Sequence, residues 1–124
     1  MSLRDLLGSV CARLHPSRED LTARDEQEQA RRWGATPLAA VEPRHRARVS
    51  GVLQAVTHRP ASAKPVLVAR LYDGTGALDL VWLGRRRIAG VVPGAHLVAE
   101  GMVAAGQSRH LMYNPVYELV GPGA

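Results

Sequence analysis

Cysteine is nearly absent from this chain of 124 residues, and aromatic side chains are scarce. The single cysteine, Cys11, excludes an internal disulfide and is predicted to be an inert, small hydrophobic residue among leucines. Phenylalanine is missing, and two Trp and three Tyr are the whole aromatic content. Apolar residues still make up 46% of the chain, which suffices for the core of one compact domain, and a second full domain is not expected.

Long apolar runs are also missing from the start of the chain. Arg4, Asp5 and Arg13 interrupt the first fifteen residues, so neither a signal peptide nor a transmembrane span is predicted. Arg4 and Arg13 are too few for the polar face of a helix that lies on a membrane surface. We therefore expect a cytoplasmic protein with no membrane partner.

The sequence motifs that carry catalysis are missing as well. There is no Gly-x-x-x-x-Gly-Lys phosphate loop and no Gly-x-Ser-x-Gly nucleophile motif. Cys11 and His15 are one helical turn apart, but two ligands do not make a metal site. The other histidines are scattered along the chain. With so few convergent polar groups, we expect neither an enzyme nor a bound cofactor or metal.

Positive charge is concentrated in the second part of the chain. Residues 1–43 hold six Arg and seven acids, a net charge of −1, whereas residues 44–124 hold ten Lys or Arg and four acids, a net charge of +6. Such a basic body favours a polyanionic partner, because phosphate chains gain both Coulomb attraction and counterion release on binding. Only Lys64 is lysine among the sixteen basic residues, a bias that carries no functional information.

A β-hairpin is predicted around the turn from Asp73 to Gly76. Gly74 and Gly76 supply the positive φ that a tight reversal needs, and Asp73 can accept hydrogen bonds from the turn amides. Apolar residues alternate on both sides, which predicts strands over 66–72 and 77–83. By this alternation Trp82 shares the inward face with Leu78 and Leu80.

The remaining segments predict helices first and strands afterwards. A leucine stripe from Leu3 to Leu14 predicts an amphipathic helix, and Ser17 can cap a second, thinly apolar one. Further strands are expected over 44–55, with Ala55 facing inward, over 95–105 and over 109–119. A polar loop is expected from His58, and a helical or irregular link over 84–90. The predicted fold is an all-β, five-stranded Greek-key barrel in residues 41–124, with an α-helical N-terminal extension in residues 1–40.

Several short motifs appear in the order typical of the oligonucleotide-binding (OB) fold. They are Val49-x-Gly51-x-Leu53, Leu71-Tyr72-Asp73-Gly74-Thr75-Gly76-x-Leu78, Val81-Trp82-Leu83, Pro93-Gly94, Val98-x-x-Gly101-x-Val103 and Met112-Tyr113-Asn114-Pro115-x-Tyr117. The body resembles OB-fold nucleic-acid-binding domains, in particular anticodon-binding-type domains and the wedge domain of branch-migrating DNA helicases. With its helical front it is similar to small actinobacterial proteins of this kind. The resemblance implies binding of single-stranded or branched DNA or RNA without chemistry; the helicase motor domains are absent from the sequence.

Nucleic-acid contact is predicted on the exposed face of the hairpin and on two flanking loops, where OB domains usually hold their ligands. The cationic candidates at these places are Arg59 and Lys64 on the first loop, Arg70 on the second strand, Arg85, Arg86 and Arg87 after the third strand, and Arg109 on the second loop. Tyr72 and Tyr113 are predicted to offer stacking faces. With so few aromatic residues, affinity is expected to be modest and strongly dependent on salt.

Other interpretations of these residues stay open. Arg46 and Arg48 alternate along the first strand and can be no more than a solvated face. Arg85 to Arg87 repel one another unless an anion compensates them. The rival function is a protein-interaction module of the same fold. The Leu3 to Leu14 helix would then bind a partner or a second copy of the chain, although covering its own barrel is the simpler use.

Overall fold

The structure is a computed structural model that describes residues 34–59 and 64–120. The predicted helices, from Leu3 to Leu14 and after Ser17, lie outside the described residues. The predicted division of the chain after residue 40 stays a prediction for the same reason.

The described residues form one short 3-10 helix and six strands. The 3-10 helix spans Leu38–Ala40, and the strands are β1 (Arg46–Arg59), β2 (Val66–Tyr72), β3 (Ala77–Leu83), β4 (His96–Ala104), β5 (Leu111–Tyr113) and β6 (Val116–Val120). β2 and β3 pair in antiparallel register about the predicted turn, so the hairpin is confirmed. Gly74 has the predicted positive φ, 90°, but Gly76 does not, so the prediction for Gly76 is wrong. Residues 84–95 contain turns but no helix.

Five of these strands close into a ring in the order β1, β2, β3, β5 and β4, with β4 paired back to β1. β1 closes the ring because its first half pairs with β4 and its second half with β2. A Cβ on Gly51 would collide with the carbonyl oxygen of Tyr72, so glycine is needed where β1 passes the end of β2. The predicted closure of a five-stranded β-sheet is confirmed.

The predicted fifth strand is divided into β5 and β6. Asn114 has a left-handed φ of 48°, and Pro115 has no amide hydrogen to donate, so the strand breaks between Tyr113 and Val116. β5 is one of the five strands of the ring and pairs with β3 in parallel. β6 pairs with β4 and is not one of the five.

A β-bulge at Gln54 changes which residues of β1 face the core. The pairing with β2 shifts between Leu53, opposite Leu71, and Ala55, opposite Arg70. Ala55 therefore lies on the outer face, and the prediction that it faces inward is wrong. Val56 packs against the core instead. β1 also continues to Arg59, beyond the point where a loop was predicted.

The core fills the ring with aliphatic side chains, and its largest fully buried members are Leu53, Leu71, Leu78, Leu80, Leu97 and Met112. Leu38 joins this core beside the β2–β3 turn, and Ile88 joins it from the link after β3. Trp82 is 5% exposed and meets Tyr117 edge to face, with ring centroids 5.5 Å apart. Its predicted place in the core is confirmed.

Candidate nucleic-acid interface

The outer face of β2, β3 and β5 carries several of the predicted site residues in register. Arg70 of β2 lies opposite Asp79 of β3, which lies opposite Leu111 of β5. The next outward row along the strands holds Val68, Val81 and Tyr113. Side chains alternate along a strand, so these residues share the face opposite to the buried leucines.

The first row holds two arginines around one carboxylate. Arg109, on the loop between β4 and β5, donates from Nη1 to Oδ2 of Asp79 at 3.3 Å, and the two side chains are only 29% and 21% exposed. Arg70 is the cross-strand neighbour of Asp79. Its Nε is buried and has no hydrogen-bond partner in the described part of the chain. The group has a net charge of about +1 at neutral pH and one guanidinium donor that lacks an acceptor.

An apolar strip lies beside this row. It consists of Val66, Val68, Val81, Leu83 and Tyr113, which are outward-facing residues of β2, β3 and β5. Leu83 is 52% exposed and Tyr113 is 55% exposed. Exposed apolar side chains grouped on a β-sheet face are typical of a binding surface rather than of a solvated one.

The corner after β5 holds Tyr113 in place. The amide of Asn114 donates to the carbonyl of Val81 at 2.6 Å, and the Asn114 side chain accepts from the amide of Leu83 at 2.9 Å. Asparagine tolerates the left-handed φ of Asn114, and the bond from Leu83 holds its side chain across the strands. The Tyr113 ring is therefore presented from a fixed backbone.

A second group of cations, the end cluster, lies at the other side of the apolar strip. It comprises Arg59, Lys64, Arg85, Arg86 and Arg87, all of them exposed. Arg59 lies opposite Val66, which lies opposite Leu83. The amide of Gly84 donates to the carbonyl of Pro65 at 2.8 Å, which brings the chain after β3 next to the chain before β2.

The end cluster borders a groove of about 520 Å³. Its walls include Arg86, Arg87 and His58, and its apolar lining includes Leu67 and Ile88. The groove is open to one end of the ring, where the link after β3 covers the core.

The two cationic groups are separated by the apolar strip. Arg70 follows Val66 by four positions on β2, which corresponds to roughly 13 Å along the strand. Tyr72 is half-buried and lies two residues beyond Arg70 on β2. It is four residues along β2 from Val68, which shares a row with Tyr113, so the two tyrosines are far apart. Arg70 and Tyr113 thus lie on the outer face with Arg109 beside Asp79, the end cluster borders that face, and the two tyrosines do not form a stacked pair.

Arg46 and Arg48 lie elsewhere. Both face outward from the half of β1 that pairs with β4, and Arg48 lies 3.9 Å from Glu100 in an exposed ion pair. This placement agrees with the solvated-face interpretation of their alternation.

Asp73 has the structural role predicted for it. It is 1% exposed, and its Oδ1 accepts from the amides of Thr75 and Gly76 and from the Thr75 hydroxyl. Its Oδ2 accepts from the amide of Leu38 at 2.8 Å. The β2–β3 turn therefore also anchors the segment that precedes β1.

The charge pattern of the sequence did not identify the apolar strip or the ion pair between Asp79 and Arg109. The signal was present in the sequence, because the alternation that places Leu78, Leu80 and Trp82 inward places Asp79 and Val81 outward. The apolar side chains on the outer side of the hairpin could therefore be predicted from this alternation. The partner of Asp79, thirty positions further along the chain, carries no such signal.

Two classes of site are not seen in residues 34–59 and 64–120. Within these ranges no three His, Cys, Asp or Glu side chains group as a metal site would require. The same residues include no helix with the length and apolarity needed to cross a membrane.

Comparison with known proteins gives a likeness of fold. No protein-family model matches the sequence, and no curated protein matches it either. Among solved structures, that of RecG bound to a three-way DNA junction is similar, with a TM-score of 0.56 and 18% sequence identity. The similarity covers 68% of this chain and 12% of that one. Together with the closed ring of five strands, it supports an OB-like fold.

Proposed function

We propose that this protein binds single-stranded nucleic acid, including the unpaired segments of branched molecules, and that it does so without catalysis. Phosphates contact Arg70 and Arg109 on one side of the apolar strip and the end cluster on the other. Bases lie between them on Leu83 and Tyr113. Tyr72 contributes a ring beyond Arg70.

Two arginines on the same face as an exposed leucine and an exposed tyrosine are the observation that carries this proposal: Arg70 on β2, and Arg109 in contact with Asp79. A phosphate oxygen is the acceptor that a guanidinium fits best. Cations beside an apolar and aromatic strip are what single strands require, since their bases are unstacked and available.

The likeness of fold adds support of a second kind. RecG, whose structure contains a three-way DNA junction, shares the fold of this chain over a small part of its length. Fold does not fix function, so this likeness supports the choice of ligand to be tested rather than the activity.

Fluorescence anisotropy tests the proposal directly. Labelled oligothymidylate, the matching oligouridylate, a duplex and a three-way junction are each titrated with the full chain over a salt series. We expect single strands and the junction to bind more tightly than the duplex, with affinity that falls as salt rises. Absence of binding to all four ligands at low salt would refute the proposal.

Arg70→Gln and Arg46→Gln form a matched pair of variants. Each removes one positive charge, but Arg46 lies on a different part of the ring's outer surface, opposite Met102 of β4. We expect Arg70→Gln to reduce the salt slope by about 0.7, the value for one lost phosphate contact on a single strand. Arg46→Gln leaves the slope unchanged. Equal effects of the two variants would mean that only net charge matters.

A protein-interaction module is the second candidate function. It is favoured by β6, where Val116 is 73% exposed and Leu119 is 40% exposed at the outer strand of the sheet. Failure to bind any nucleic acid, together with loss of a protein contact on Val116→Asp, would favour this function over the first.

A further inference from the structure

We propose that Asp79 is the internal counter-ion of the phosphate site. Its carboxylate holds Arg109 in the free protein, and a phosphate of the bound strand replaces it. This inference rests on the proposed function and adds to it a residue that lowers affinity by competing with the phosphate.

The geometry places the carboxylate where a phosphate would compete with it. Asp79 Oδ2 lies 3.3 Å from Nη1 of Arg109, and Arg70 lies directly opposite Asp79 on β2. Arg109 thus contacts the carboxylate, and Arg70 lies across the strand pair from it on the same outer face. A phosphate brings more acceptor oxygens than a carboxylate and fits a guanidinium equally well.

The ion pair is weak enough to be replaced. Both side chains keep part of their surface in solvent, and ion pairs at such positions are screened by water and salt. At the same time a negative charge on the binding face repels an incoming phosphate. Asp79 therefore opposes binding twice, through occupation of Arg109 and through repulsion.

Glu100 provides a matched control. It pairs with Arg48 at 3.9 Å on the face formed by β1 and β4, away from β3. Asp79→Asn and Glu100→Gln both replace an ion-paired carboxylate with its amide. The two variants change the net charge of the protein equally and differ only in position.

The experiment measures binding of labelled oligothymidylate to the wild type, Asp79→Asn, Glu100→Gln, Arg109→Ala and the double variant Asp79→Asn/Arg109→Ala. We expect Asp79→Asn to bind roughly two- to five-fold more tightly, the range for release of one partly exposed ion pair. Its salt slope stays close to that of the wild type, because Arg109 contacts one phosphate in both complexes. Glu100→Gln shows no such gain, and in the Arg109→Ala background the gain of Asp79→Asn falls to the part that repulsion causes.

Two results would overturn the inference. Equal effects of Asp79→Asn and Glu100→Gln would assign the gain to net charge. Weaker binding by Asp79→Asn would make Asp79 a residue that positions Arg109 for contact. Thermal melting checks the fold of each variant, and Asp79→Ser repeats the test if the asparagine variant melts early.

Failure of the proposed function has a different signature. If neither the wild type nor Asp79→Asn binds oligothymidylate at any salt concentration, the proposed function and the inference fall together. If the wild type binds and Asp79→Asn gains nothing over Glu100→Gln, only the inference falls.

Discussion

Replacement of Arg85, Arg86 and Arg87 with alanine separates binding from stability. All three side chains are exposed and lie just after the end of β3, and Ile88, the next residue, supplies the buried contact of this segment. Surface substitutions of this kind usually change the free energy of unfolding by no more than about 0.5 kcal/mol each. We therefore expect the triple variant to melt close to the wild type.

The effect on binding follows from the number of phosphates contacted. Each lost contact with a single strand lowers the slope of log K against log salt by about 0.7. If all three arginines contact phosphates, the slope falls by roughly 2, and affinity at low salt falls most. The end cluster would retain Arg59 and Lys64, so some salt dependence persists.

The assay is anisotropy of labelled oligothymidylate over a salt series, paired with a thermal melt of each protein. Arg46→Ala, on the part of β1 that pairs with β4, controls for the general effect of a lower net charge. An unchanged affinity and slope in the triple variant would remove these arginines from the site. A flattened slope together with a much lower melting temperature would also contradict the reasoning, since it would give the arginines a structural role.

Three further predictions concern single residues. Tyr113→Ala should weaken oligothymidylate binding by about 1 to 3 kcal/mol, the value of one stacked base, while Tyr113→Phe retains affinity in the same titration. Asp73→Asn should lower the free energy of unfolding in urea by about 1.5 to 3 kcal/mol, because the amide of Leu38 and the turn amides lose a charged acceptor; an unchanged midpoint would contradict this. Gly51→Ala should destabilise the fold by roughly 1 to 3 kcal/mol in the same assay, because its Cβ meets the backbone of Tyr72, and wild-type stability would refute that contact.

The hairpin could be predicted from sequence because its determinants are local. Gly74, with its positive φ, and Asp73 specify the turn, and alternation then specifies the register of β2 and β3. The same alternation placed Trp82 in the core correctly. Structure that depends on residues close together in the chain could therefore be predicted from this single sequence.

The bulge and the divided fifth strand were harder. Gln54 and Ala55 have no glycine or proline to mark a bulge, which arises because β1 must turn from β4 toward β2. Asn114-Pro115 does mark a break, but the two strands that follow from it pair with different partners. Such pairings depend on closure of the ring, and local propensity carries no information about them.

The site was predicted in part for the same reason. The sequence identifies the arginines that lie on both sides of the outer face, but it does not show how they are arranged across that face. The ring brings Arg109 to Asp79 across thirty positions of sequence, and it places Leu83 and Tyr113 between the two cationic groups. A duplex presents its phosphates to such cations while its bases stay stacked, so it leaves the apolar strip unused. Under the proposed function, preference for unpaired strands therefore depends on Leu83 and Tyr113, and the arginines supply affinity that any nucleic acid can share.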